Sequence, residues 1–251
     1  FGDERLVTGL LEKSAEYREV IGDLRLPLGN EADPLPPVGT TTELAFPVRF
    51  SNYFASAHIN TLHLSNTAQI NANSAPYHKT VTNLSYAGIQ TLGSIPGEGK
   101  DTVTGETHRT TWLSEKKLHW VAERETSGPL AAVRETSMLF LEKNEPVVVV
   151  IAWDEKQGKV MGPKREELLQ EIVKAGASLI IGTGLVIPYE QKTMENIPVY
   201  TSLGSAFEKF QTGDTSKKSV ALEMSIEPDG KLKVTDKNLV FTTEKGLELR
   251  P

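Results

Sequence analysis

The chain of 251 residues contains no cysteine, which excludes a disulfide, a thiolate metal site and a cysteine nucleophile. No apolar run approaches the roughly 18 residues that a membrane-spanning helix needs. Basic residues are also in deficit, because 27 Lys and Arg stand against 33 Asp and Glu for a net charge of −6. The sequence therefore predicts no transmembrane segment and argues against a nucleic-acid partner.

What the chain does contain is ordinary for a globular protein: 38% of its residues are hydrophobic and 24% are charged. Its length suffices for one large domain with a full core. The sequence begins at Phe1 without Met, so we expect that an upstream signal or anchor was removed. This start and the absence of cysteine are compatible with an exported bacterial protein.

The best-defined unit lies between residues 147 and 182. Residues 147–151 form a continuous β-branched run, typical of a strand buried on both faces. Residues 164–175 carry four apolar side chains on one helical face, and Gly176 provides a natural stop. Residues 178–182 form a second apolar strand, so the order predicts a parallel, right-handed crossover.

Other segments extend this α/β pattern. Apolar periodicity predicts further helices at 50–57 and 77–87, and further strands at 59–64, 89–92, 117–122 and 198–203. Near the C-terminus, apolar residues alternate strictly on both sides of a Pro-Asp-Gly turn. This pattern predicts a β-hairpin from about residue 220 to 234, with one solvated face, at the edge of a sheet. The polar, glycine-bearing segment 94–111 predicts a loop.

Three short segments in the second half carry a family resemblance. They are Ala-Trp-Asp at 152–154, Gly-Leu-Val at 184–186 and Ser-Leu-Gly at 202–204. Their order resembles the C-terminal half of the CapA-type capsule and poly-γ-glutamate synthesis family, a branch of the calcineurin-like metallophosphoesterases. The resemblance implies an α/β fold, a four-layered α/β/β/α sandwich with mixed sheets and the C-terminal β-hairpin. It also implies a single domain over residues 1–251, whose first strand would precede Phe1.

The family's metal-binding positions hold other residue types in this chain. In the family the three segments read His-Trp-Gly, His-x-His and Ser-Leu-Gly-Asn-Phe, and the histidines are absent here. Residues 64–68 fall where the family has Leu-Ala-Asn-Asn-His, so Thr67 and Ala68 replace its ligand asparagine and histidine. Residues 21–24 resemble the family's Ala-Asp-Leu segment, but the acid that should follow is replaced. Asp3 alone keeps a side chain suited to a ligand position.

One carboxylate cannot hold two transition-metal ions against water. We therefore predict no catalytic residue, no metal and no cofactor, and a vestigial site mouth at Asp3, His63, Asn66, Asp154 and Gly204. A relocated metal or ligand site using His63, Asn66 and Asp154 stays open, because His63 lies near the end of a strand. Two further histidines have structural predictions: His119 as a satisfied core residue, and His58 as a partly exposed residue at a helix end.

These observations favour a catalytically inactive CapA-like domain that acts as a binding or assembly module in capsule or cell-surface polymer biology. Its expected partner is a protein of a cell-surface assembly or an anionic or glycan polymer, outside the cell or in the cell envelope. One alternative is an active metal-dependent phosphoesterase-like enzyme with a rebuilt site. The other is a structural subunit of an extracellular or envelope complex. The fold alone does not choose among them, because function lies in the site.

Overall fold

The structure, a computed structural model, describes residues 14–24, 28–29, 46–64, 75–93, 108–113, 116–125, 129–140, 145–153, 162–184, 189–204, 219–242 and 246–250. The helices are α1 (Phe50–Ser56), α2 (Ala75–Tyr86), α3 (Pro129–Phe140) and α4 (Pro163–Lys174). The strands are β1 (Ile21–Asp23), β2 (Leu28–Gly29), β3 (Phe46–Pro47), β4 (Thr61–His63), β5 (Gln90–Leu92), β6 (His108–Leu113), β7 (Lys116–Arg124), β8 (Val147–Ala152), β9 (Leu179–Thr183), β10 (Glu190–Met194), β11 (Ile197–Ser202), β12 (Val220–Ile226), β13 (Leu232–Thr242) and β14 (Gly246–Arg250). No helix within these ranges is long and apolar enough to cross a membrane.

The first β-layer is a parallel three-stranded sheet in the order β1-β4-β5. Its register places Asp23, His63 and Leu92, the last residues of the three strands, side by side. Helices α1 and α2 cover one face, where Phe50 and Leu84 belong to one buried apolar cluster with the sheet. These helices and strands confirm the pattern expected for this part of the sequence, with small shifts at their ends.

The second β-layer is a six-stranded mixed sheet in the order β10-β11-β9-β8-β7-β6. Strands β7, β8, β9 and β11 run parallel, whereas β6 and β10 pair antiparallel at the two edges. Every residue of β8 is buried, as its continuous β-branched run predicts. Helix α4 connects β8 to the parallel neighbour β9, which confirms the predicted parallel crossover.

Successive residues of a strand face opposite sides of its sheet, and this alternation separates two apolar cores. On the outer face of the six-stranded sheet, Val149 shares a cluster with Val133 of α3 and Leu169 of α4. On the inner face, Val150 shares a different cluster with Leu92 of the three-stranded sheet. The layers therefore follow the order helix, sheet, sheet, helix. This is the four-layered α/β/β/α sandwich with mixed sheets that the resemblance implies.

The C-terminal β-hairpin is confirmed, but its position differs from the prediction. Strand β12 pairs antiparallel with β13, and β13 pairs with β14, so the three form a separate sheet. The expectation of a hairpin at the edge of the main sheet was wrong. Leu222 and Met224 pack against the inner apolar cluster. The hairpin therefore covers apolar surface inside the sandwich instead of extending a sheet sideways.

The loop predicted at 94–111 is wrong for its last residues. Residues 108–111 begin β6, which pairs with β7 along its whole length, so His108 lies in a strand. An edge strand pairs through its backbone with one neighbour only. The polar sequence of β6 carries no apolar alternation from which a strand could be predicted. Thr111 shows how such a residue is accommodated, because it is buried and its hydroxyl accepts a hydrogen bond from Trp120 Nε1 at 3.0 Å.

Tyr200 on β11 is buried in the inner core, where the C-terminal sheet and β10 meet. Gln191 Nε2 donates a hydrogen bond to the Tyr200 hydroxyl at 3.2 Å, and the Tyr189 ring lies 6.3 Å away between centroids. Burial, followed by the nearby Tyr189 and Asp236, raises the pKa of Tyr200 to about 12. The folded protein therefore holds this phenol protonated beyond the pH at which a free tyrosine ionises.

This pKa predicts a specific alkaline destabilisation. The contribution of Tyr200 to the free energy of unfolding is complete below the ordinary tyrosine pKa of about 10 and is lost as the pH rises toward about 12. Chemical denaturation at a series of alkaline pH values should show this fall, and Tyr200→Phe should make it shallower. An unchanged pH dependence in Tyr200→Phe would show that another group is responsible.

Candidate functional site

Two polar side chains meet at the ends of neighbouring strands in the three-stranded sheet. Asp23 ends β1 and His63 ends β4, in register with each other. His63 Nδ1 lies 2.6 Å from Asp23 Oδ1. His63 is 2% exposed, whereas the Asp23 side chain is 30% exposed, so the carboxylate connects the buried ring to solvent. Both face the inner side of the sheet, because they lie in one row with Leu92 of the inner cluster.

The chemistry of this pair assigns a role to each ring nitrogen. An ionised aspartate can only accept hydrogen bonds, so His63 Nδ1 carries the proton that it donates to Asp23. In the neutral ring, Nε2 is then an acceptor with a lone pair, and in the protonated ring it is a second donor. Nε2 is buried and has no hydrogen-bond partner among the described residues. A carboxylate that orients a histidine in this way is typical of metal-ligating and proton-accepting histidines.

The last residues of three central strands lie on the inner face of the six-stranded sheet. Strand alternation from the inner-core residues places Ala152, Thr183 and Ser202 on the inner face, at the ends of β8, β9 and β11. Thr183 Oγ1 is buried without a partner among the described residues. Ser202 Oγ accepts a hydrogen bond from Gly204 N at 3.0 Å. These strand ends carry only methyl and hydroxyl groups, with one hydroxyl on Thr183 and one on Ser202.

On the outer face, the same strand ends are held by a buried cluster around Trp153. The indole Nε1 donates to the carbonyl oxygen of Thr201 at 3.0 Å. Arg165 of α4 lies over the ring, with its Cζ 5.3 Å from the centroid, and its Nε and Nη2 donate to the two Glu125 carboxylate oxygens at 2.8 and 2.7 Å. Gly182 packs directly against Trp153 and Thr201. Helix α4 is thus fixed to the ends of β7, β8, β9 and β11.

The described residues do not fit a two-metal centre. Within the described ranges, no group of three or more His, Cys, Asp or Glu side chains could hold a metal ion. The inner-face residues Ala152, Thr183 and Ser202 offer neither a nitrogen ligand nor a carboxylate. His63 and Asp23 provide one nitrogen and one carboxylate, which are fewer donors than a bridged pair of cations requires.

The structure describes two of the five predicted site residues, His63 and Gly204. It describes His63 as above and places Gly204 just beyond β11 with a φ of 72°, in the left-handed region that favours glycine. Asp3, Asn66 and Asp154 lie outside the described residues, so their place in the site stays a prediction. Sequence reasoning missed Asp23 as the partner of His63. The available signal was the segment at residues 21–24, in which Asp23 matches the acid of the family's Ala-Asp-Leu segment.

Two histidine predictions are confirmed. His119 is 1% exposed, with Nε2 at 2.7 Å from Glu145 Oε2 and Nδ1 at 3.1 Å from Thr110 Oγ1. His58 is exposed just after α1, with a φ of 54°. His119 therefore has partners on both nitrogens, unlike His63.

Comparison with known proteins identifies the fold. No family model matches the sequence, and no curated protein matches it. A candidate 5′-nucleotidase from Staphylococcus aureus, solved in complex with α-ketoglutarate, aligns with a TM-score of 0.61 and 12% identity, over 98% of this chain and 48% of that one. A phosphatase from Mycoplasma pneumoniae aligns with a TM-score of 0.55 and 11% identity, over 100% and 91% of the two chains. A hypothetical protein from Thermus thermophilus aligns with a TM-score of 0.54 and 17% identity, over 93% and 94%.

These similarities define the class of fold: the chain has a metallophosphoesterase-like α/β fold. It spans about half the length of the Staphylococcus aureus protein and nearly all of the other two. At 11–17% identity, the similarities show the fold alone. The chemistry has to be argued from the residues of the site.

Proposed function

We propose that this chain is a catalytically inactive, CapA-like domain that acts as a binding or assembly module on a metallophosphoesterase-like fold. The proposal covers the whole chain as one domain and locates it outside the cell or in the cell envelope. Its ligand or partner would be a capsule-type polymer, anionic or glycan, or a protein of a cell-surface assembly.

The observation that carries this proposal is the chemistry of the strand ends on the inner face. The fold and its cores are intact, with buried apolar clusters on both sides of the six-stranded sheet. At the ends of β8, β9 and β11, however, the side chains are Ala152, Thr183 and Ser202. Methyl and hydroxyl groups cannot replace the nitrogen and carboxylate ligands of a metal centre, but hydroxyl groups suit the hydrogen bonding of a polar ligand.

A second candidate function is a phosphoesterase-like enzyme with a rebuilt site. The Asp23–His63 pair favours it, because a histidine oriented by a carboxylate can act as a metal ligand or a general base. Such an enzyme would need further ligands from segments outside the described residues. A metal-dependent activity of the purified protein would therefore be the evidence for this second candidate.

A polymer-binding experiment tests the first proposal. The purified chain is titrated, by isothermal calorimetry, with poly-γ-glutamate and with the neutral glucan dextran. The two probes separate anionic from hydroxyl-rich ligands. We expect saturable binding to one of them. The same protein is isolated under gentle conditions from its native source. If the chain binds neither polymer and is recovered in a complex of fixed stoichiometry, the proposed binding function is wrong and the chain is a structural subunit.

A further inference from the structure

Strand β12 is an edge strand of the C-terminal sheet. It pairs with β13 over all 7 of its residues without a bulge, and no described strand lies on its other side. The free side of an edge strand presents backbone groups with which a further strand can pair. The state of these groups and of the side chains beside them therefore decides whether β12 can accept a partner.

The hairpin turn determines which backbone groups of β12 point outward. The Glu227 N–H donates to the Lys231 carbonyl oxygen at 2.8 Å, so the odd-numbered residues of β12 exchange hydrogen bonds with β13. The even-numbered residues point their N–H and C=O groups away from β13. They are Val220, Leu222, Met224 and Ile226. The Val220 N–H donates outside the sheet to the Leu203 carbonyl oxygen, whereas the backbone groups of the other three have no partner among the described residues.

The side chains of β12 leave this edge apolar and unprotected. Leu222, Met224 and Ile226 pack against the inner apolar cluster but are only half-buried. The strand contains no proline and no lysine, and its single charge, Glu223, lies on the opposite face in an ion pair with Lys237 at 3.3 Å. The edge strand β10, by contrast, is interrupted by a bulge. Natural proteins protect free edges with bulges, prolines and lysines, so β12 has the properties of an edge that pairs.

We propose that β12 is a homodimer interface, at which the edges of two copies of this chain pair antiparallel about a two-fold axis. The three residues with unpaired backbone groups satisfy one another in a single register: Leu222 pairs with Ile226 of the second copy, and Met224 pairs with its own counterpart. A register displaced by one pair in one direction requires the Val220 N–H, which is already bonded. Displacement in the other direction requires Pro228, which has no N–H.

Charge and polarity agree with this register. On the outer face it places Glu223 opposite Ser225 of the second copy, twice by symmetry. The register that uses Val220 would place the two Glu223 carboxylates directly opposite each other, where like charges are destabilising. On the inner face, the half-buried apolar side chains of the two strands come side by side and lose contact with water. The dimer goes beyond the proposed binding function and does not depend on it.

Disulfide trapping tests the register, because the chain has no cysteine of its own. Chains carrying Glu223→Cys are mixed with chains carrying Ser225→Cys and oxidised. In the proposed register these two positions form a non-hydrogen-bonded pair with Cα atoms about 4.5 Å apart, within the range of a disulfide. We expect a covalent dimer with one chain of each variant. Either variant alone should form little, because its two cysteines lie about 8 Å apart, beyond that range.

Sedimentation equilibrium tests the association without a covalent bond. We expect a reversible monomer–dimer equilibrium with a dissociation constant between about 1 and 100 µM. Ser225→Lys should tighten the dimer about fivefold and Ser225→Glu should weaken it about fivefold, since each new charge faces Glu223 of the second copy. The same substitutions at the exposed Thr193 of edge strand β10 are the control and should leave association unchanged.

The two Ser225 variants also separate association from folding. Within one chain Ser225 lies opposite Lys233, so Ser225→Glu gains an attraction there and Ser225→Lys a repulsion. Their effects on the stability of the monomer therefore have the opposite sign to their effects on the dimer. A structural role of Ser225 alone would not produce this reversal.

Three results would overturn the inference. A single monomeric species up to about 200 µM would exclude the interface. Association that is indifferent to both Ser225 variants would place the contact elsewhere on the molecule. Efficient cross-linking of Glu223→Cys with itself would contradict the register. None of these results bears on polymer binding by the monomer, and loss of polymer binding would leave the dimer standing.

Discussion

Gly182→Ala lowers the free energy of unfolding by about 3 kcal/mol or more, or prevents folding. A Cβ atom at this position of β9 would lie 2.5 Å from the carbonyl oxygen of Thr201, and closer still to Trp153 Nε1. The carbonyl belongs to the neighbouring strand and cannot rotate away as a flexible side chain would. The added methyl group must therefore displace β11 or the indole, and with it the hydrogen bond between Trp153 and Thr201.

Gly162→Ala is the matched control for this substitution. Gly162 precedes α4 with a φ of −127°, which any residue adopts, and a Cβ there meets no atom within 4 Å. We expect its free energy of unfolding to stay within about 1 kcal/mol of the unchanged protein. Urea denaturation of the two variants makes the comparison. Equal stability of Gly182→Ala and Gly162→Ala would show that the close packing around Trp153 is absent in solution.

Glu125→Leu lowers the free energy of unfolding by about 3–5 kcal/mol. The substitution removes the bidentate carboxylate from Arg165, which is 4% exposed and lies against the Trp153 ring. A guanidinium in this position cannot regain its hydration without opening the contact between α4 and the strand ends. Thermal or chemical denaturation measures the loss.

The double variant Glu125→Leu/Arg165→Met distinguishes charge burial from loss of packing. Replacing both partners with apolar side chains removes the buried charge, so we expect the double variant to recover most of the stability lost by Glu125→Leu. Glu223→Gln is the surface control, because its ion pair with Lys237 is partly exposed and is expected to contribute less than about 1 kcal/mol. Additive losses in the double variant would contradict a coupled, buried pair.

Much of the fold follows from local sequence patterns. The continuous β-branched run of β8, the amphipathic pattern of α4 and the alternation of β12 each lie within the element itself, and these elements are confirmed. Strands β6 and β10 lie at sheet edges with polar sequences, and their pairing depends on neighbours distant in the chain. The placement of the hairpin against the inner core also depends on such distant contacts, so local alternation did not predict it.

The candidate site was predictable only in part. His63 was placed at the end of a strand from the apolar run around it, and the structure confirms that position. Its pairing with Asp23 requires β1 and β4 to be adjacent, parallel and in register, and sequence alone does not establish that relation. Within the part of the chain that the structure describes, the lack of a hydrogen-bond partner for His63 Nε2 is likewise a property of three-dimensional packing.

The chain keeps a metallophosphoesterase-like fold, and we propose that it uses this fold for binding rather than for metal-dependent hydrolysis. The buried cores and the Trp153–Arg165–Glu125 cluster preserve the frame. The hydroxyl and methyl side chains at the ends of β8, β9 and β11 favour hydrogen bonding of a ligand over coordination of two cations.

The most direct test measures metal content and phosphodiester hydrolysis on the same purified sample. Bound Mn, Fe and Zn are determined by elemental analysis, and hydrolysis of bis(p-nitrophenyl) phosphate is followed with and without added Mn²⁺. We expect less than stoichiometric metal and no turnover that depends on Mn²⁺. Stoichiometric metal together with Mn²⁺-dependent turnover that is lost in His63→Asn would contradict the binding role and establish the enzyme with a rebuilt site.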